Sequence, residues 1–189
     1  DQMLFYLPLA GSTFKKTYFD QTLNRPVSKF VMPDDLVVSY TESSLETTPR
    51  FTHVINMSLN DVRKLQVSDF YRDIELFPDE AADLDDAKDK VQDLTGFRRN
   101  VQSSDSVTLL EMHVDLDLPG FEEKDEDGVE TGIAIPYIVT IHEETSEILS
   151  IRRNFEENDP KRSKIRYFTH YKFLPGLGFY GFGLIHMIG

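Results

Sequence analysis

Ile133-Ala-Ile-Pro-Tyr-Ile-Val-Thr-Ile141 decides the fold class. Ile133, Ile135, Tyr137, Val139 and Ile141 recur at every second position, the period that places them on one face of a β-strand. The polar run Glu143–Glu147 then turns the chain into Ile148–Phe155, so the pair reads as an antiparallel hairpin. The same alternation recurs on both sides of it. Upstream, Ser106–Leu118 carries Leu110, Met112, Val114, Leu116 and Leu118 on one side, and the charged, glycine-containing loop Glu122–Glu130 follows. Downstream, Ile165–Phe173 alternates again after the polar break Asn158–Arg162.

The first half mixes strands with short helices. Met3–Ala10 reads as the end of a helix broken near Gly11-Ser12. Phe14–Phe19 and Val27–Val31 read as strands joined by the turn Asp20–Pro26, with Leu36–Tyr40 as a third. Phe51–Met57 places Phe51, His53, Ile55 and Met57 on one face. Ser58, with Asp61 three residues on, predicts an N-cap for a helix that turns Leu59, Val62 and Leu65 inward. Pro78-Asp79 opens an acidic helix to about Leu94, inside an excursion spanning roughly 72–105. Its apolar stripe is only Leu84, Ala87, Val91 and Leu94, which predicts a solvated surface helix. These elements predict an α+β fold: an antiparallel-dominated sheet with hairpins and a few short helices, in one domain over residues 1–189.

Composition narrows the functional classes. A chain of 189 residues with 40% apolar content, 14 Phe and 8 Tyr is large and apolar enough to bury a core. Having no cysteine, it makes neither a disulfide nor a thiolate metal site. A net charge of −13 argues against a primary grip on nucleic acid, which needs surplus Lys and Arg. Met3–Ala10 lacks a basic flank and contains Pro8, unlike a signal peptide, and the apolar end Phe173–Gly189 is shorter than a membrane span. Both ends of the chain lie inside apolar runs, so an excised piece of a longer protein is expected, cut at both termini.

Three patterns invite a site. Gly176-Leu-Gly178-Phe-Tyr-Gly181 matches a dinucleotide-binding glycine turn in letters, and would make the domain a dinucleotide-binding enzyme. Its context is antiparallel, Phe179 and Tyr180 fill the turn, and no acidic residue follows, so close packing at a bend is the plainer role. Asp115–Glu126 echoes a calcium loop and would make an acidic cation-binding domain. Against that, Pro119 sits at a ligand position and Glu122 where an apolar residue belongs. Glu111, His113, Asp115 and Asp117 form an acidic row on one strand face, which a metal or acid–base chemistry would use. A basic row, Lys164, Arg166, His170 and Lys172, offers the simpler partner across a shared sheet face, as a neighbour or one strand apart. With no nucleophile triad, Walker loop or zinc-protease motif present, the residues predict no catalytic, cofactor-binding or metal-ligating set, and not an enzyme.

Several blocks resemble another class of protein altogether. Leu9-Ala-Gly-Ser-Thr-Phe-Lys-Lys-Thr-Tyr18, Arg25-Pro-Val-Ser28, Pro33-Asp-Asp-Leu-Val-Val38 and Arg50-Phe-Thr-His53 are similar to segments of tailed-bacteriophage portal proteins, the head-to-tail connectors. So are Ile133–Ile141, Ile151-Arg-Arg-Asn-Phe155 and the end from Tyr167 to Gly189, in the same order. Nothing in Asp73–Ser104 contributes. The resemblance implies the wing, the outer α+β region of a dodecameric ring at one capsid vertex. The genome enters through such rings under the terminase motor and leaves through them, and the tail attaches there. It further implies partners reached by the whole protein: other copies of itself, terminase, capsid and tail adaptor. Double-stranded DNA would pass without being gripped by this region, and no membrane is involved. The expected location is the virion vertex, and the host cytoplasm during assembly or as a prophage product.

Overall fold

The computed structural model describes residues 2–20, 23–79, 105–124, 127–176 and 178–188. Among these, two antiparallel sheets and three short helices make an α+β fold of the predicted class. Helix α1 (Gln2–Ala10) leads into β1 (Ser12–Asp20) and β2 (Arg25–Val31), a hairpin whose register pairs Phe14 with Val31 and Asp20 with Arg25. A 3-10 turn, Pro33–Asp35, precedes β3 (Leu36–Val38), and β4 (Arg50–Ser58) runs directly into α2 (Leu59–Val67). Ser58 caps α2 as the spacing predicts, its Oγ accepting the Asp61 backbone N–H at 3.2 Å. The second half supplies β5 (Ser106–Leu116), β6 (Ile135–His142), β7 (Ile148–Arg153), β8 (Phe168–Lys172) and α3 (Leu184–Ile188).

The sheets have orders β2-β1-β8 and β3-β4-β5-β6-β7. β8 joins β1 with Phe14 opposite His170 and Ser12 opposite Lys172, so residues from the two halves of the chain share one ladder. β6 buries residues on both faces, so Pro136, Thr140 and His142 are as hidden as Ile135, Tyr137 and Val139, and its period-two pattern does not single out one covered face.

The chain divides into two compact units, each with its own core. The first comprises residues 1–53, 112–138 and 153–189, and its core is mainly aromatic: Phe14, Val31, Leu36, Phe51, Phe168 and Phe179. The second comprises 54–111 and 139–152, where Val62, Tyr71, Val107, Leu109 and Leu149 pack with Leu59 and Leu65 of α2. Residues 72–79 form no helix, and nearly all of the expected acidic helix, from residue 80 on, lies outside the described residues. No helix among the described residues is long and apolar enough to cross a membrane.

Two expectations need correction. On β5 the alternation was read with the even-numbered residues as the apolar side. The deepest side chains are instead the odd-numbered Val107 and Leu109, in the second unit's aliphatic core, and His113, packed against Phe51 and Phe168 in the first. The acidic and basic rows do not share a sheet face either. β5 and β8 belong to separate sheets, and Lys164 and Arg166 precede the short β8 altogether. Members of the two rows do meet at Lys164 Nζ and Asp115 Oδ1, 3.0 Å apart.

Candidate functional site

In the first unit the three glycines of Gly176–Gly181 serve different ends. A Cβ on Gly181 would fall 2.6 Å from the Gly11 carbonyl oxygen, and one on Gly183 would fall 2.5 Å from the Gly11 nitrogen and closer still to the Leu9 carbonyl. Gly11 itself has φ +84, which favours glycine. The segment after β8 thus lies backbone to backbone against the α1–β1 junction, and the Leu174–Phe182 bridge holds it there. Gly176 is tight against the Tyr180 carbonyl, while Gly178 faces open space.

His170 fastens the same segment. Its ring lies 4.4 Å from Phe14 and 4.8 Å from Phe179, and a ring nitrogen lies 3.1 Å from Ser12 Oγ. Ser12 Oγ also accepts the Gly181 N–H at 2.8 Å, so its own O–H is free to donate to the imidazole. Burial, and then the Lys172 charge, depress the His170 pKa to about 4, which favours this neutral form. Ser12 is buried, and its hydroxyl ties the half-buried imidazole to the Gly181 backbone, so the Ser–His pair acts as a clasp.

The would-be calcium loop is spent on other partners. Arg162 Nε donates to Glu123 at 2.9 Å, and Glu122 accepts the Gly120 N–H at 2.8 Å, which holds its carboxyl below the usual range. Asp115 faces Lys164, whose ammonium is not aligned to hydrogen-bond it and donates to the Thr48 carbonyl at 3.2 Å. Glu123, Arg162, Asp115 and Lys164 line a cleft of about 560 Å³ together with Glu46 and Lys161, and Glu46 in turn accepts from Arg166 at 2.7 Å. Two ion pairs, Arg162–Glu123 and Lys164–Asp115, run across its lining. Position 126 lies outside the described residues. His113 of the acidic row lies among aromatic rings. It stacks on Phe51 at 4.6 Å and meets Phe168 edge-on.

The second unit holds a cluster that the sequence did not single out. His142, at the end of β6, is 1% exposed, and its two ring nitrogens reach Thr145 Oγ1 at 2.8 Å and Asp79 Oδ1 at 3.0 Å. The Thr145 backbone N–H approaches the same Nδ1 at 3.4 Å. That donor favours an unprotonated Nδ1, with Nε2–H donating to Asp79. Asp79 Oδ2 accepts the Thr108 N–H at 2.6 Å, and the Asp79 N–H donates to the Ser106 carbonyl at 3.1 Å. Asp79 therefore ties the segment ending at residue 79 to the start of β5. The carboxylate of Glu144, exposed on the β6–β7 turn, comes within 4.8 Å of the ligand atoms of Asp79 and His142. No spacing rule links residues 79, 142 and 144. The only available signal was a His-Glu-Glu-Thr run closing a hairpin.

Nearby, Tyr71 is buried under the same sheet. Burial first, and then the Glu111 carboxylate, push its phenol up to about 12. Arg152 stacks on Phe70 with its guanidinium carbon 3.6 Å from the ring centre.

Set against models of known protein families and against curated protein sequences, the chain matches none.

Proposed function

We propose that residues 1–189 form part of the wing of a tailed-bacteriophage portal protein, a structural ring component through which the genome is packaged and ejected and to which the tail attaches. The observation that carries this reading is the ordered set of blocks from Leu9–Tyr18 to Tyr167–Gly189, which spans nearly the whole chain. The α+β fold with two antiparallel sheets is of the kind that resemblance implies, and supports it at the level of fold class. The chemistry agrees in character. Gly176 and Gly181 are engaged in backbone packing and ion pairs cross the cleft, as suits a region whose work is to hold shape. A surface of charge −13 lets DNA pass without adhering.

A cyclic ring uses two different patches on each subunit, each burying above about 1,000 Å². Negative-stain electron microscopy of the complete gene product tests the proposal. Closed rings with a central channel are expected; a monodisperse monomer or dimer at micromolar concentration contradicts it. The isolated 1–189 chain should be a monomer or weak oligomer in light scattering and leave duplex DNA unshifted on a gel, and a stable closed ring or micromolar DNA binding that weakens steeply with salt would contradict that expectation.

A further inference from the structure

We propose that Asp79, His142 and Glu144 form a binding site for one d-block dication of the zinc class, a site independent of the portal reading.

The donor set points to that class. An imidazole with carboxylates suits zinc and its neighbours, whereas calcium and magnesium take oxygen alone. Zinc lies about 2.0–2.2 Å from nitrogen and oxygen ligands, so two atoms on one tetrahedral ion stand about 3.3–3.6 Å apart. His142 Nε2 and Asp79 Oδ1 already stand 3.0 Å apart, and the Glu144 carboxylate lies within 4.8 Å of both. A change of side-chain rotamer on an exposed turn brings Glu144 into contact. Waters complete the shell, as in zinc sites with three protein ligands.

The two deeper ligands are held by outer partners. Thr108 N–H fixes Asp79 through the oxygen that does not face the imidazole, and Thr145 Oγ1 fixes His142 through the nitrogen that does not face the carboxylate. Such outer bonds orient first ligands and raise their affinity. On binding, the Nε2 proton gives way to the metal and the neutral ring carries its proton on Nδ1, where the Thr145 hydroxyl at 2.8 Å accepts it in exchange for the longer 3.4 Å contact from the Thr145 backbone N–H. No net proton is released from a neutral ring.

Charge supplies the second argument. Glu144 makes no hydrogen bond or ion pair among the described residues, yet its carboxylate stands close to that of Asp79 on a chain of charge −13. Two carboxylates this close repel, and a dication between them removes that repulsion.

The consequence is structural. The ion would fasten the β6–β7 turn to Asp79, and through Asp79 to Ser106 and Thr108 at the start of β5.

The test is titration of tag-free protein with Co²⁺, followed by its visible bands, and with Zn²⁺ by calorimetry. One equivalent should bind saturably, with Zn²⁺ displacing Co²⁺. Glu144→Gln, at an exposed position that folding does not need, should weaken binding at least about tenfold, and Thr145→Val by about 10–100-fold. Glu143→Gln, on the same turn but outside the cluster, should leave it unchanged. No saturable binding overturns the proposal. So does saturable binding that survives both Glu144→Gln and Thr145→Val.

Discussion

His142 in the second unit is buried and His170 in the first is half-buried, and the two units use the same side chain in opposite ways. His170 is used as a plate. Phe14 and Phe179 lie against it at 4.4 and 4.8 Å, and one hydrogen bond to Ser12 sets its rotation. His142 is used as a two-ended connector, bonded through one nitrogen to Thr145 and through the other to Asp79, with no ring stacked on it among the described contacts. The surroundings follow the same division. The first unit is cemented by aromatic faces and by glycines that let backbones touch, the second by aliphatic packing and a polar network. A flat neutral ring tolerates replacement by another flat ring. A connector does not, because each of its partners is left with an unmet polar group.

Leu109→Ala should do the greatest damage. Leu109 is 0% exposed beside Val107 and Val62, and removing its side chain costs about 2–5 kcal/mol in denaturant unfolding. A loss under about 1 kcal/mol would mean that the second unit does not rest on this aliphatic core. Gly183→Ala strikes the first unit through its backbone contact instead. The added methyl meets the Leu9 carbonyl and the Gly11 nitrogen, and about 1–3 kcal/mol should be lost, whereas Gly178→Ala, which faces open space, should be nearly neutral. Equal effects would break the claim that close backbone approach holds the glycine-rich segment. Arg166→Ala removes an ion pair to Glu46 whose partners are both more than half exposed, and less than about 1 kcal/mol should go with it. A larger loss would show that the cleft depends on its ion pairs.

The sequence made the local elements legible where a single physical rule governs them. Period-two runs marked β1, β4, β6 and the β6–β7 hairpin, and the Ser58–Asp61 pair marked the start of α2. It misled where burial comes from two directions. On β5, Leu110 and Met112 look like the core face, but Val107, Leu109 and His113 are deeper: both faces of the strand carry apolar side chains, so alternation marks the strand without saying which face is covered. Pairing of the acidic and basic rows failed for a related reason. Complementary charge is a weak guide to strand order, and Lys164 meets Asp115 without any shared sheet. The Asp79–His142–Glu144 cluster was invisible because folding alone brings position 79 to positions 142 and 144, and no local periodicity records that approach.

The contrast between plate and connector is tested most directly by unfolding His170→Phe and His142→Phe side by side across pH. The imidazole of His170, held neutral with a pKa near 4 against an ordinary 6.5, is protonated more readily in the unfolded chain than in the folded one between those values. Wild-type stability is therefore complete above about pH 6.5 and declines as pH falls toward 4, and His170→Phe should flatten that decline. At neutral pH, His142→Phe should cost at least about 1 kcal/mol more than His170→Phe, because it strands the Asp79 carboxylate and the Thr145 hydroxyl. Equal losses from the two replacements, together with an acid decline that His170→Phe leaves intact, would contradict the account.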